Sequence, residues 1–136
     1  MSEDFKPYAL VADDDAFIRM DSALILQDAG YRVHEAANVE EALSILERAG
    51  ESIQLLFTDV QMPPSKRNGI ELARLCAKGW PSIKILVASG QAAPKPGNLP
   101  EGAIFISKPF SPDIVYDRLQ ELLPDGAQPE PLRKKS

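Results

Sequence analysis

Five short apolar segments recur along the chain and predict five β-strands. The first, third and fourth are almost continuously apolar, which is typical of parallel strands covered on both faces. The second mixes apolar with polar residues, which favours a position at an edge of the sheet. The segments are residues 8–12, 31–34, 54–58, 83–88 and 103–106.

Helical patterns lie between most of these segments, over residues 16–29, 38–50, 69–78 and 111–123. Asn38 followed by Glu41 predicts a helix start, because these side chains bond free backbone N–H groups. Ser111 followed by Pro112 predicts another start. Strands that alternate with helices predict an α/β fold with a doubly wound parallel sheet and right-handed crossovers.

The alternation breaks between the fourth and fifth strands. Residues 91–102 contain Pro94, Pro96 and Pro100, which prevent a regular helix. We therefore expect the fourth helix to be shortened or replaced by a proline-rich loop. Residues 124–136 are also proline-rich and charged, so the pattern predicts one domain over residues 1–123 and a flexible tail after it.

Composition narrows the functional classes. The chain has 136 residues, a net charge of −5 and a single cysteine, Cys76. This length suits one domain with a hydrophobic core. The negative charge argues against nucleic acid as the main partner. No apolar run approaches the roughly 20 residues of a membrane span, and the acidic N-terminus lacks a signal-peptide core. We expect a cytoplasmic protein without a membrane partner, and the Met1 start favours a complete chain.

Polar residues follow four of the predicted strands at their carboxyl ends, where parallel sheets bind ligands. Neighbouring strands lie about 4.8 Å apart, so these side chains converge if the first and third strands are adjacent. The residues are Asp13, Asp14 and Asp15 after the first strand, Asp59 after the third, Ser89 after the fourth and Lys108 after the fifth.

Clustered carboxylates repel one another and favour a bound cation. Hard oxygen ligands suit Mg²⁺, whereas zinc prefers His or Cys, and His34 and Cys76 lie elsewhere in the pattern. A carboxylate beside Mg²⁺ can act as a nucleophile toward phosphorus. Lys108 and Ser89 are suitable residue types to contact phosphoryl oxygens. Alone, an Asp run can be a helix cap and a Lys-Pro pair a surface turn. Four such signals at one end of the sheet favour a site.

These residues resemble the receiver domains of response regulators. The matching segments are residues 10–15, 57–63, 68–72, 88–90 and 105–110, within a resemblance that covers residues 7–123. The resemblance implies a flavodoxin-like sheet with strand order 2-1-3-4-5. It also implies phosphotransfer from a histidine kinase or histidine phosphotransfer protein, with an output protein that the sequence does not identify.

The resemblance also implies a role for each acidic residue. Asp59 is the expected phosphoacceptor. Asp14 and Asp59 are expected to bind Mg²⁺ directly, with the backbone carbonyl of Gln61, and Asp13 through a water molecule. Asp15 matches no ligand position and is expected to be a solvated loop residue.

The same resemblance implies a switch around the phosphoryl group. Lys108 pairs with the phosphoryl oxygens, and its bond to Pro109 is expected to be cis. Ser89 is the switch hydroxyl and Phe105 the aromatic side chain that responds to it, although Phe105 is equally consistent with a core strand residue.

Two departures from the family pattern bear on output. The loop over residues 63–67 is longer than usual, either as a partner contact or as a tolerated surface insertion. The family commonly uses the fourth-helix face for output and dimerisation, so a homodimer of this chain is expected to use another surface.

Several functions remain open on sequence alone. The leading hypothesis is a phosphorelay signalling switch that catalyses only its own phosphorylation and dephosphorylation. A receiver module cut from a hybrid histidine kinase or larger regulator is an alternative. A Mg²⁺-dependent phosphohydrolase with an aspartyl-phosphate intermediate is another. Such enzymes place a second Asp two residues after the nucleophile, as in Asp13 and Asp15, whereas Gln61 follows Asp59. A degenerate receiver that only binds proteins is disfavoured, because the acidic, hydroxyl and lysine positions are all filled.

Overall fold

A five-stranded parallel sheet forms the centre of the structure, a computed structural model that describes residues 6–63, 67–90 and 97–135. The order β2-β1-β3-β4-β5 confirms the predicted flavodoxin-like fold. β2 lies at an edge, as its mixed composition predicted. The strands are β1 (Tyr8–Ala12), β2 (Arg32–Ala36), β3 (Ile53–Asp59), β4 (Lys84–Ser89) and β5 (Ile104–Ser107).

Helices cover both faces of the sheet. Alternate strand residues point to opposite faces, so Ala9 and Val11 of β1 join one core cluster while Leu10 and Ala12 join the other. The helices are α1 (Ala16–Asp28), α2 (Val39–Ala49), α3 (Gly69–Gly79), α4 (Pro112–Leu122) and the single-turn α5 (Glu130–Arg133). The first cluster includes residues of α1 and α4, and the second includes residues of α2 and α3.

Side-chain caps fix where the helices begin. The Asn38 side chain accepts a 2.8 Å hydrogen bond from the Glu41 N–H. Ser111 caps α4, with Pro112 as its first residue. Both predicted starts are therefore confirmed. Asn68 and Glu71 form a reciprocal capping box at the start of α3.

The buried face of α1 differs from the apolar pattern of the sequence. Phe17 and Leu24 are 81% and 58% exposed, whereas the small side chains of Ser22 and Ala23 are buried. The helix lies close to the sheet through these small residues, together with Ile25 and its neighbour Leu26, and this turns other large apolar residues outward.

The connection between β4 and β5 agrees with the predicted loop where it is described. Residues 97–103 form turns without a helix, and the Arg74 Nε donates a 2.8 Å hydrogen bond to the Asn98 carbonyl. Residues 91–96 of that loop lie outside the described residues, as do residues 64–66 of the expected enlarged loop. No helix in the described part of the chain has the length and apolar character to cross a bilayer.

The segment after α4 differs from the predicted flexible tail. The side chain of Leu132 is completely buried and joins the core cluster between α1 and α4. Pro129 and Pro131 lie against Gly30, which has a φ of +106° and no room for a Cβ atom. The side chain of Gln54 donates a 2.8 Å hydrogen bond to the Ala127 carbonyl. Residues 124–135 therefore pack on the domain, because one leucine and two prolines fit the surface beside α1.

Candidate metal centre

Three aspartate side chains converge at the carboxyl edge of the sheet. β1 and β3 end in register, with Ala12 opposite Thr58, so the next residues, Asp13 and Asp59, are neighbours. One carboxylate oxygen each of Asp13, Asp14 and Asp59 lies within 4.8 Å of the others. Asp13 and Asp59 are buried, whereas Asp14 is exposed. The structure thus brings the predicted acidic residues together.

Lys108 joins this cluster from the end of β5. Its Nζ lies 3.0 Å from Asp59 Oδ1 and 3.1 Å from Asp13 Oδ2. Its backbone N–H donates a 2.8 Å hydrogen bond to the Ser89 carbonyl, which ties the ends of β4 and β5 together. The Lys108–Pro109 bond is cis, as the family resemblance implied.

Burial and neighbouring charges together shift the pKa values of Asp59 and Lys108. Burial is the main reason that the pKa of Asp59 lies above its ordinary value; the bond from Lys108 opposes the rise and the charge of Asp13 adds to it. Burial alone would lower the pKa of Lys108, but its bonds to Asp59 and Asp13 outweigh burial and raise that pKa. Lys108 therefore stays protonated and partly neutralises two carboxylates.

The donor set fits a hard divalent cation. Three carboxylates supply only oxygen ligands, and the exposure of Asp14 leaves one side open to water, as Mg²⁺ prefers. Gln61 lies two residues beyond β3, in the segment that leaves the sheet at Asp59. Its carbonyl ligation stays a prediction, as does the water-mediated role of Asp13.

The backbone of Gly69 lies against the backbone of Asp59, so closely that no residue with a Cβ atom would fit at position 69. A Cβ atom at position 69 would lie 1.7 Å from the Asp59 carbonyl oxygen. The Gly69 N–H donates a 2.7 Å hydrogen bond to the Val60 carbonyl, and the Thr58 hydroxyl donates to the Asp59 carbonyl at 2.8 Å. The sequence motif contained Gly69, but the local pattern gave no sign of this contact.

Asp15 is exposed to solvent and caps the start of α1. One carboxylate oxygen accepts hydrogen bonds from the N–H groups of Phe17 and Ile18, at 2.9 and 3.1 Å. The exposed position agrees with the expected solvated loop residue, and the helix cap is an additional role. The cap also removes support for a hydrolase with Asp13 and Asp15 as nucleophile and acid, because the Asp15 side chain is committed to the helix.

Ser22 is a buried polar residue of this region that the sequence pattern did not single out. It lines a narrow pocket together with Asp13, Asp59, Lys108 and Phe110. The sequence around Ser22 does not show that it lines this pocket, because the other lining residues belong to elements distant from it along the chain.

The two expected switch residues lie on adjacent strands. Ser89 is buried at the end of β4, opposite Ser107. Phe105 is partly buried on β5, opposite Val87, and packs on the core cluster of α2 and α3. Their switch roles stay predictions.

Curated relatives match this chain over most of its length. The sensor kinase CckA of Brucella abortus is 40% identical over 117 residues, which are 84% of this chain but 12% of that protein. The response regulator receiver protein CpdR of the same organism is 33% identical over 84% of this chain and 94% of its own length. Chemotaxis protein CheY of Thermotoga maritima is 37% identical over 83% of this chain and 94% of its own length.

Solved structures share the fold. Chemotaxis protein CheY4 of Vibrio cholerae superposes with a TM-score of 0.75 at 28% identity, over 88% of this chain and 100% of that one. The receiver domain of the hybrid histidine kinase CckA gives 0.72 at 30% identity, over 86% and 99% of the two chains. The family model of the response regulator receiver domain matches residues 9–120. With this sheet order and this acidic cluster, the chain belongs to the response regulator receiver family.

Proposed function

We propose that this receiver accepts a phosphoryl group on Asp59 and thereby changes which proteins it contacts. The observation that carries the proposal is the position of the Asp59 carboxylate, within 4.8 Å of two other carboxylates and 3.0 Å from Lys108 Nζ. Such a cluster suits phosphoryl transfer, in which the protein mainly supplies position and charge neutralisation.

The transfer replaces one bond to phosphorus by another. A carboxylate oxygen of Asp59 attacks the phosphorus of a phosphohistidine, the new O–P bond forms, and the N–P bond breaks. The released imidazole nitrogen keeps the electron pair and takes a proton from solvent. Lys108 stays beside the phosphoryl oxygens throughout. Asp14, Asp59, the Gln61 carbonyl and, through a water molecule, Asp13 would hold Mg²⁺, which would further neutralise the phosphoryl charge.

The hydrogen bonds of Asp13 support an anchoring role beside Asp59, whose own carboxylate also bonds Lys108. Asp13 Oδ1 accepts the Asp15 N–H at 2.9 Å and Oδ2 accepts Lys108 at 3.1 Å. Both oxygens of Asp13 therefore hold the loop and the lysine in place. In this mechanism Asp13 anchors the site and Asp59 carries the chemistry.

The signal leaves the site through β4 and β5. A phosphoryl group on Asp59 attracts the Ser89 hydroxyl, and the bond from the Lys108 N–H to the Ser89 carbonyl couples that strand end to β5. Phe105 on β5 then adjusts its packing against the α2–α3 side of the sheet. The output protein is unidentified, and a homodimer would use a surface other than the usual fourth-helix face.

The phosphodonor is a histidine kinase or histidine phosphotransfer protein. Phe17, Met20 and Leu24 of α1 are more than half exposed. They recur at helical spacing, so they form one apolar stripe that begins directly after the acidic loop. This stripe suits docking of a donor whose histidine must reach Asp59.

The single buried Cys76 suits a reducing, cytoplasmic location.

Intact mass spectrometry after incubation with an acyl phosphate and Mg²⁺ tests the proposal. The parent chain is expected to gain one labile phosphoryl group, which Asp59→Asn abolishes. Asp15→Asn serves as the control, since Asn also caps helices and the adduct is expected to remain. An adduct that survives Asp59→Asn but disappears in Asp13→Asn would favour the hydrolase alternative.

A further inference from the structure

The side chain of Arg19 links three elements next to the acidic cluster. It extends from α1, and its Nη1 donates a 2.9 Å hydrogen bond to the backbone carbonyl of Asp13. Its Nε lies 3.2 Å from Glu35 Oε1 on β2. The Arg19 side chain is 21% exposed, so this bridge is shielded from much of the solvent. The guanidinium thus holds the loop after β1 against the adjacent edge strand.

This bond falls on the peptide group that joins Asp13 to Asp14. The Asp13 N–H donates to the Ala36 carbonyl at 3.1 Å, so one side of residue 13 is already held by β2. Because a peptide group is planar, fixing the Asp13 carbonyl also fixes the direction in which the backbone enters Asp14. Together with the bond from the Asp15 N–H to Asp13 Oδ1, Arg19 therefore restrains the orientation of the Asp14 backbone.

Asp14 depends on this backbone control more than its neighbours do. Asp13 and Asp59 are buried, and both contact Lys108. Asp14 is exposed, so packing does not fix its side chain. Its carboxylate meets those of Asp13 and Asp59 only if the preceding peptide has the right direction.

We propose that Arg19 is a positioning residue that holds the Asp13–Asp14 peptide so that Asp14 can ligate Mg²⁺ together with Asp59. This inference rests on the metal site of the proposed function. It assigns Arg19 no contact with the metal or the phosphoryl group. The two bonds leave from Nη1 and Nε, which the planar guanidinium holds at a fixed separation and direction. We call this pair of donors the guanidinium fork; the ammonium of lysine has all its donors on one nitrogen.

The positive charge of Arg19 and its positioning role have opposite effects on Mg²⁺ affinity. The direction in which affinity changes when Arg19 is replaced therefore tells the two apart. A positive side chain near the cluster repels Mg²⁺, so its removal tightens binding if charge dominates. Glu35 offsets part of that charge. If positioning dominates, removal of the fork weakens binding, and losses of about tenfold or more are typical for groups that orient metal ligands.

Titration calorimetry with Mg²⁺ on the parent, Arg19→Gln, Arg19→Lys and Arg74→Gln separates these effects. Arg74 is the matched control, because its Nε donates to the Asn98 carbonyl and removing it changes the net charge equally. We expect the Mg²⁺ Kd to rise roughly tenfold in Arg19→Gln, to rise similarly in Arg19→Lys, and to stay unchanged in Arg74→Gln. Without Mg²⁺, the amide resonances of Asp14 and Asp15 are expected to move in both Arg19 variants.

The outcomes that overturn the inference differ from those that overturn the proposed function. An unchanged or lower Kd in Arg19→Gln would show that the guanidinium does not position the ligand. Full affinity in Arg19→Lys would show that a single cationic donor at position 19 suffices, so the two-nitrogen geometry of the guanidinium would not be what positions Asp14. That result would overturn the assignment even if Arg19→Gln failed to fold. A parent chain that bound no Mg²⁺ would remove the metal site itself, and the inference with it.

Discussion

At the scale of single residues, Asp59 combines burial with two close charged neighbours. Burial raises its pKa above the ordinary 3.8, the bond from Lys108 limits the rise, and Asp13 adds to it. The folded state therefore binds a proton at Asp59 more readily than the unfolded chain does. Above the raised pKa, the charged carboxylate lowers the stability of the metal-free fold.

A change at Asp59 tests this balance. We expect Asp59→Asn to raise the free energy of unfolding at neutral pH without Mg²⁺. The gain is expected to shrink as the pH falls through the raised pKa, because the parent Asp59 then becomes neutral too. The free energy of unfolding of both proteins is measured by urea denaturation between about pH 4 and 8, the range in which a carboxyl group with a raised pKa titrates. A variant less stable than the parent at neutral pH would mean that the Lys108 pair outweighs burial.

The residues that could be predicted from sequence are those that end or directly follow strands. Asp13, Asp59 and Lys108 fall at the same sheet edge once the strands are recognised, so their convergence follows from topology. Arg19 and Ser22 could not be found in this way. Their side chains contact loops and strands that are distant from α1 in the sequence. The spacing of apolar residues along the chain does not reveal such contacts.

At the scale of elements, the start of α3 holds Asp59 through the close approach of Gly69. The capping box of Asn68 and Glu71 fixes the first turn. The missing side chain at position 69 then lets that turn meet the backbone of Asp59. The start of α3 and the end of β3 are thus built as one unit.

Gly69→Ala is expected to destabilise the fold by about 3 kcal/mol, because the added Cβ would meet backbone that cannot move aside cheaply. Gly79→Ala is the control: nothing lies within 4 Å of a Cβ there, and alanine is the better helix former. Chemical denaturation of both variants checks the difference. Equal stability of the two would show that the α3 start can shift away from Asp59.

Strand positions and helix starts were predictable because they depend on local patterns. Continuous apolar runs marked β1, β3 and β4, and the Asn38 and Ser111 caps marked two helix starts. The buried face of α1 was not predictable. Which side of a helix faces the sheet depends on how closely the two pack, and here small residues decide it.

At the scale of the whole molecule, the C-terminal segment closes the side of the domain formed by α1 and α4. The Lys135 Nζ lies 3.0 Å from Asp28, whose carboxylate also accepts a 2.9 Å bond from the Tyr116 hydroxyl. Together with the burial of Leu132, these contacts join the segment to both helices. The fully buried leucine is the main apolar anchor.

Removing that anchor tests whether residues 124–135 belong to the folded domain. Leu132→Ala is expected to cost about 2–5 kcal/mol of unfolding free energy, the usual range for a buried leucine. Leu75→Ala removes the same atoms from a site that is 37% exposed, so a smaller loss is expected there. Similar losses in both variants would indicate that the segment detaches in solution, as its composition had predicted.

Composition misled the prediction for this segment because proline and charge are typical of disordered chains. Prolines also restrict the unfolded state, so a short segment can dock with few contacts. Composition counts residue types, whereas docking depends on whether one leucine and two prolines meet a complementary surface beside Gly30.

Chemical trapping shows directly whether the phosphoryl group resides on Asp59. Borohydride reduces an aspartyl phosphate to homoserine, so reduction of the phosphorylated chain followed by peptide mass spectrometry marks the acceptor. We expect homoserine at position 59 and unmodified aspartate at positions 13, 14 and 15. Homoserine at position 13 or 14, with Asp59 unchanged, would show that another aspartate is the phosphoacceptor.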